Sequence, residues 1–159
     1  MSIERQLAGG TIAPFIASSQ RQDVNFNAQP EDNDLQIGLE GIRVIIIEDE
    51  TLVALMISEM VTEVGAEVVA ICTSAPAAIA EIATTSFDIA TMDVNINGNV
   101  SLGIATVLND RGVPIVFCTS YGHAVGDISG ALVVTKPFTL DDLKQALLAA
   151  LRRLNRKAR

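Results

Sequence analysis

Asp93 ends the uncharged run Ile89-Ala90-Thr91-Met92 and opens a polar loop through Asn95, Asn97, Gly98 and Asn99. Such a short apolar run reads as a strand buried on both faces. A carboxylate at the carboxyl end of a strand in an open parallel sheet stands where ligands bind, so it either caps its loop or reacts. Three other apolar runs end in reactive groups: Val44–Ile47 in Glu48 and Asp49, Val113–Cys118 in Thr119, and Leu132–Val134 in Thr135 and Lys136. The carboxylates come with no His or Cys, and an oxygen-only donor set favours Mg²⁺. Mg²⁺ on Asp49 and Asp93 would neutralise phosphoryl oxygens, Thr119 would donate a hydrogen bond to one, and the Lys136 ammonium would pair with another. Asp93 would then be the nucleophile of a phosphoryl transfer and its product an acyl phosphate.

Each residue has a plainer reading alone. An acidic pair after a strand is commonly a helix cap, an Asp can cap its own loop, and Lys-Pro occurs by chance. The joint pattern is more specific, because the elements that position these residues bring them to one edge. Val53, Met56, Ile57, Met60, Val61 and Val64 recur at helical spacing before Gly65, and Glu67–Ile71 reads as a second strand. Ser74, with Pro76 in the first turn, caps a helix burying Ile79 and Ile82. Ser101 begins a helix presenting Ile104, Val107 and Leu108. The Gly-rich stretch Tyr121–Gly130 allows only a short fourth helix, and the last helix opens on Thr139 and Asp142, a capping-box pair, and carries the stripe Leu140, Leu143, Leu147 and Leu151. Strands alternating with helices imply an α/β fold: a doubly wound, five-stranded parallel sheet with helices on both faces. In strand order 2-1-3-4-5, with neighbours about 4.8 Å apart, Glu48, Asp49, Asp93, Thr119 and Lys136 converge at the switch point. Carboxylates so close would have raised pKa values unless a cation joined them.

Composition narrows the function. The chain of 159 residues is 49% hydrophobic but only 4% aromatic, which suits aliphatic helices packed on a parallel sheet. A net charge of −8 argues against direct nucleic-acid binding. No apolar run approaches membrane-spanning length and no signal peptide is evident, so a cytoplasmic protein with no membrane partner is expected. Cys72 and Cys118 read as reduced, buried residues, and His123, the only histidine, as a surface loop residue. The basic end RRLNRKAR reads as a solvated helix terminus. Residues 1–40, with Ile12, Phe15 and Ile16 scattered among polar residues, read as an extension that is either a flexible leader or a docking arm, and residues 41–159 as the domain.

With these motifs the sequence resembles the receiver domain of two-component response regulators over about residues 42–154. The resemblance rests on IIIEDE (Glu48, Asp49), TMDVNINGN (Asp93, Gly98), IVFCTS (Thr119) and VTKPF (Lys136, Pro137, Phe138). It implies a flavodoxin-like fold in which Asp93 accepts phosphate from the phosphohistidine of a histidine kinase or phosphotransfer protein. It further implies that Asp49, Asp93 and the Asn95 carbonyl bind Mg²⁺, that Glu48 acts through metal-bound water, and that the Lys136–Pro137 bond is cis. Two features depart from the family: the proline it usually has after the acceptor is missing from Asn95-Ile96-Asn97-Gly98, and Val133 stands where a switching aromatic is common. Tyr121, the only tyrosine, is the candidate for a related role or for shielding the acyl phosphate. DVNxxG with TSYG is similar to stand-alone receivers accompanying HWE-type kinases.

The expectation is a single-domain response regulator, since only about twenty residues, forming one helix and its tail, follow the Lys-Pro-Phe motif. It is expected not to be an enzyme beyond assisting its own phosphoryl transfer and dephosphorylation. It would signal to an unidentified downstream protein through the face formed by the fourth helix, fifth strand and fifth helix, with a homodimer left open. Two alternatives stand beside it. One is a pseudo-receiver that binds without phosphorylation. The other is a Toprim-like Mg²⁺-dependent nucleic-acid enzyme, against which stand Asn95 in place of a second acid and the negative charge.

Overall fold

Four branched aliphatic residues in a row need cover on both sides, and β1 (Arg43–Ile47) has it, with Val44 to Ile47 fully buried. The structure, a computed structural model, describes residues 38–120, 125 and 131–157. After β1 come α1 (Thr51–Glu63), β2 (Glu67–Cys72), α2 (Ala75–Thr84), β3 (Ile89–Met92), β4 (Asn95–Ile96), β5 (Asn99–Val100), α3 (Leu102–Asp110), β6 (Ile115–Thr119), β7 (Leu132–Thr135) and α4 (Leu140–Lys157). Five strands form one sheet in the order β2-β1-β3-β6-β7, every pair parallel. This is the expected doubly wound 2-1-3-4-5 order. The strands β4 and β5 make a separate antiparallel pair, where the sequence suggested only a loop.

The register sets the strand ends level. Ile47 pairs with Met92, Met92 with Phe117 and Thr119 with Thr135. Alternation then sorts the core. Val44, Ile46, Ile89, Val116, Cys118 and Val134 face one layer with α1 and α4, whereas Ile45, Ile47, Ala90, Met92 and Phe117 face the other with α2 and α3.

Two helices, α2 and α4, carry side-chain caps at their starts, and α1 is closed at its end. The Ser74 hydroxyl accepts the Ala77 N–H at 3.3 Å. After α1, Gly65 takes φ +94°, its N–H donates to the Thr62 carbonyl at 3.0 Å, and the Ala66 N–H donates to the Val61 carbonyl at 3.1 Å, a Schellman closure. At α4 the capping box is reciprocal: Asp142 accepts from the Thr139 N–H at 2.8 Å, and the Asp142 N–H returns a bond to Thr139 Oγ1 at 3.2 Å. These bonds, with the Thr139 hydroxyl, hold the Asp142 carboxyl below its ordinary value.

Several expected faces shift by a residue. Alanines take inner positions, with Ala54, Ala78 and Ala105 buried. Their small side chains let each helix approach the sheet closely, and this turns Met56, Ile79 and Val107 to the surface, contrary to the sequence expectation. The stripe Leu143, Leu147 and Leu151 is buried as expected, while Leu140 is only half-buried. β6 begins at Ile115 rather than Val113, because Pro114 has no N–H to give the ladder, although its carbonyl accepts the Ala90 N–H at 3.1 Å. Leu39, which the sequence grouped with the extension, is buried in the α1/α4 layer. Residues 1–37 of the extension, Tyr121 and His123 lie outside the described residues, as does the expected fourth helix except for Val125, which is buried. Both cysteines are free and buried. Among the described residues no helix is long and apolar enough to cross a membrane.

Candidate functional site

Continuing each strand's alternation by one step carries three charged residues onto the α1/α4 side: Glu48 follows the row of Ile46, Asp93 that of Thr91, and Lys136 that of Val134. They meet. Lys136 Nζ lies 2.7 Å from Glu48 Oε2 and 2.8 Å from Asp93 Oδ2. Glu48 is 1% exposed and its other oxygen accepts the Glu50 N–H at 3.2 Å. Burial pushes the Glu48 carboxyl up, against the opposing pull of Lys136 and the Glu50 N–H. Burial would lower the Lys136 ammonium, but its bonds to Asp93 and Glu48 outweigh that and hold it above its ordinary value. The ammonium is thus the cation that lets two carboxylates share a strand edge. Cys118 is buried on the same layer, its thiol pushed up to about 12 by burial.

Asp93 is fixed at both ends. Its Oδ1 accepts the Asn95 N–H at 3.1 Å, and the Ser101 hydroxyl shares its proton between the carbonyls of Asp93, at 2.7 Å, and Val94, at 2.9 Å. Ser101 therefore spends its side chain on the acceptor loop instead of capping α3, where no side-chain cap bond forms. Beside Asp93 opens a polar pocket of about 230 Å³ lined by Asp49, Glu50, Asp93, Asn95, Gly98 and Ser120. Asp49 and Asp93 offer carboxylates there and Asn95 adds oxygen donors. Two carboxylates with room for water suit Mg²⁺, which seldom uses an all-protein cage. Among the described residues no group of three or more His, Cys, Asp or Glu is gathered as a metal cluster.

The family's sequence model for the response regulator receiver domain matches residues 44–148. The chain belongs to this family. Among solved structures, SdrG from Sphingomonas melonis Fr1 is similar at 31% identity and TM-score 0.64, over 70% of this chain and 97% of SdrG. The response regulator PhyR from Brucella abortus is similar at 28% identity and TM-score 0.67, over 74% of this chain and 51% of that one. The anti-anti-sigma factor PhyR from Bartonella quintana is similar at 26% identity and TM-score 0.69, over 80% and 53%. The receiver thus spans about half the length of these PhyR chains. A comparison with curated proteins gave no match.

Within the receiver the sequence-predicted residues do not all meet. Glu48, Asp93 and Lys136 are in direct contact, and Asp49 and Asn95 join Asp93 around the pocket. Glu48 is withdrawn from that wall, with one oxygen on Lys136 and the other on a backbone N–H. Thr119 ends β6 fully buried, and its carbonyl accepts the Lys136 N–H at 3.0 Å, while the pocket wall on that side is Ser120. The Lys136–Pro137 bond is cis. Sequence reasoning did not single out Ser101 or Asn97 for the site. Asn97 carried a signal, because Asn-Gly is the favoured two-residue hairpin turn.

Proposed function

We propose that Asp93 accepts a phosphoryl group from the phosphohistidine of a histidine kinase or phosphotransfer protein, with Mg²⁺, and that the receiver then signals by phosphorylation-dependent protein contacts in the cytoplasm. The observation carrying this reading is the Asp93 carboxylate, ion-paired to Lys136 at 2.8 Å and open on its other side to a polar pocket. Mg²⁺, held by Asp49, Asp93 and Asn95 with Glu48 behind them, would neutralise charge on the incoming phosphoryl oxygens.

Asp93 attacks phosphorus as the bond from phosphorus to the histidine nitrogen breaks. An acyl phosphate forms on Asp93, and the departing imidazole takes up a proton. Phosphorylated, Asp93 no longer presents a full carboxylate to Lys136, which keeps Glu48 and turns to a phosphoryl oxygen. Thr119, which ends the neighbouring strand β6, donates its hydroxyl to a second phosphoryl oxygen. That shift biases the surface formed by β7 and α4 between two arrangements. Leu52, Leu55 and Met56, exposed on α1 directly after the pocket residue Glu50, give a protein donor apolar surface to cover. The likeness to PhyR, described as a stress response regulator and an anti-anti-sigma factor, supports a protein as the downstream target.

The test is intact mass after incubation with acetyl phosphate, with and without Mg²⁺, and then with a histidine kinase. A phosphoryl adduct that needs Mg²⁺ and disappears in Asp93→Asn is expected. A folded wild type that takes phosphate from neither donor would instead make the chain a phosphorylation-independent binding module.

A further inference from the structure

The tip of the β4–β5 hairpin reaches the acid at the end of β1. Asn97 and Gly98 have φ +52° and +77°, the sign pattern of a type I′ turn. With two residues per strand the ribbon is far too short to stand alone. It is held at three points instead. Ile96 is buried in the α2/α3 layer, Asn97 Nδ2 donates to the Thr73 carbonyl at 3.2 Å, and the Asn97 backbone N–H donates to Asp49 Oδ2 at 2.8 Å. The last bond joins residues 48 apart and engages one oxygen of the Asp49 carboxylate, whose other oxygen has no hydrogen bond among the described residues. Fixing one oxygen aims the other. A proline at this position would have no N–H to give, so the bond depends on this chain's departure from the usual receiver loop.

We propose that Asn97 is a positioning residue: through its backbone N–H the hairpin holds the Asp49 carboxylate in the orientation that captures Mg²⁺, and bound Mg²⁺ in turn holds the hairpin closed. The inference rests on the reading that Asp49 and Asp93 hold Mg²⁺. The two effects are one coupling seen from both ends, so each must appear if the other does.

Two variants and one amide test it. Asn97→Val puts a β-branched residue at positive φ and opens the turn, whereas Asn97→Gly keeps the turn and the N–H and loses only the Thr73 bond. Mg²⁺ affinity by titration calorimetry should fall about tenfold in Asn97→Val, the low end for loss of a ligand's supporting hydrogen bond. Asn97→Gly should restore most of it, with both variants melting as single domains. In the wild type, saturating Mg²⁺ should slow hydrogen exchange of the Asn97 amide. Mg²⁺ binding that is as tight in Asn97→Val as in wild type, or that shifts the Asn95 amide while Asn97 exchange is unchanged, overturns the positioning role alone. No Mg²⁺ binding in wild type overturns the underlying reading and the positioning role with it.

Discussion

The two faces of the sheet have the same strands but opposite endings. On the α2/α3 face the central rows are apolar through Ile47, Met92, Val94 and Phe117, and polar residues, Asp49 and Thr119, follow only at the last step of β1 and β6. On the α1/α4 face the rows that begin with Ile46, Thr91 and Val134 finish in Glu48, Asp93 and Lys136. One residue of alternation separates a dry backing from a charged cluster. The site is precise because its charges hang from strands whose other face is packed solid, so side chains can exchange partners while the backbone stays put.

The largest effect should come from the backing. Phe117 is 1% exposed, and Phe117→Ala should lose about 3–5 kcal/mol by urea denaturation. Mg²⁺ binding by the molecules still folded should remain, and its loss would mean the two faces are not separable.

Next is Lys136→Met, which strands Glu48 without its ammonium and should lose about 3 kcal/mol near neutral pH. The sign of its pH dependence is set by Glu48. With a folded-state pKa raised above 4.5, the folded protein binds that proton more tightly than the unfolded chain, so stability is lost as pH rises through the window above 4.5 and regained as it falls. The deficit should therefore shrink on acidification, and adding Glu48→Gln should remove most of it. An equal deficit at every pH would place the loss in packing instead of charge.

The smallest effect sharpens the contrast from the charged side. The Thr91 hydroxyl, one step below Asp93 on the same row, is buried without a hydrogen-bond partner among the described residues. Thr91→Val should stabilise the fold by about 1 kcal/mol. Equal melting temperatures for the two would show that the hydroxyl has found a partner.

Much of this was legible from residue order. Continuous runs such as Val44–Ile47 could be nothing but central strands, and the carboxylates, Thr119 and Lys136 at their ends followed. Periodicity was weaker on the helices, because Ala78 and Ile79 are both apolar and only the helix-to-sheet distance decides which turns inward. The hairpin was hidden because three of its six residues are asparagines, which have little strand preference of their own, and its tip is held by the bonds of Asn97 to Asp49 and Thr73, remote in sequence. The double engagement of Lys136 was equally hidden, since proximity at a sheet edge does not say which charges will touch.

The two thiols make the protein its own reporter. Cys118, with a pKa of about 12, holds almost no thiolate at neutral pH while β6 is in place between β3 and β7. An alkylating reagent can reach it only when the middle of the sheet comes apart. Cys72 closes β2, at the sheet's edge, and is unmasked when that strand alone frays. Two alkylation half-lives read from one sample would therefore time edge opening and whole-domain opening separately, with no label added beforehand.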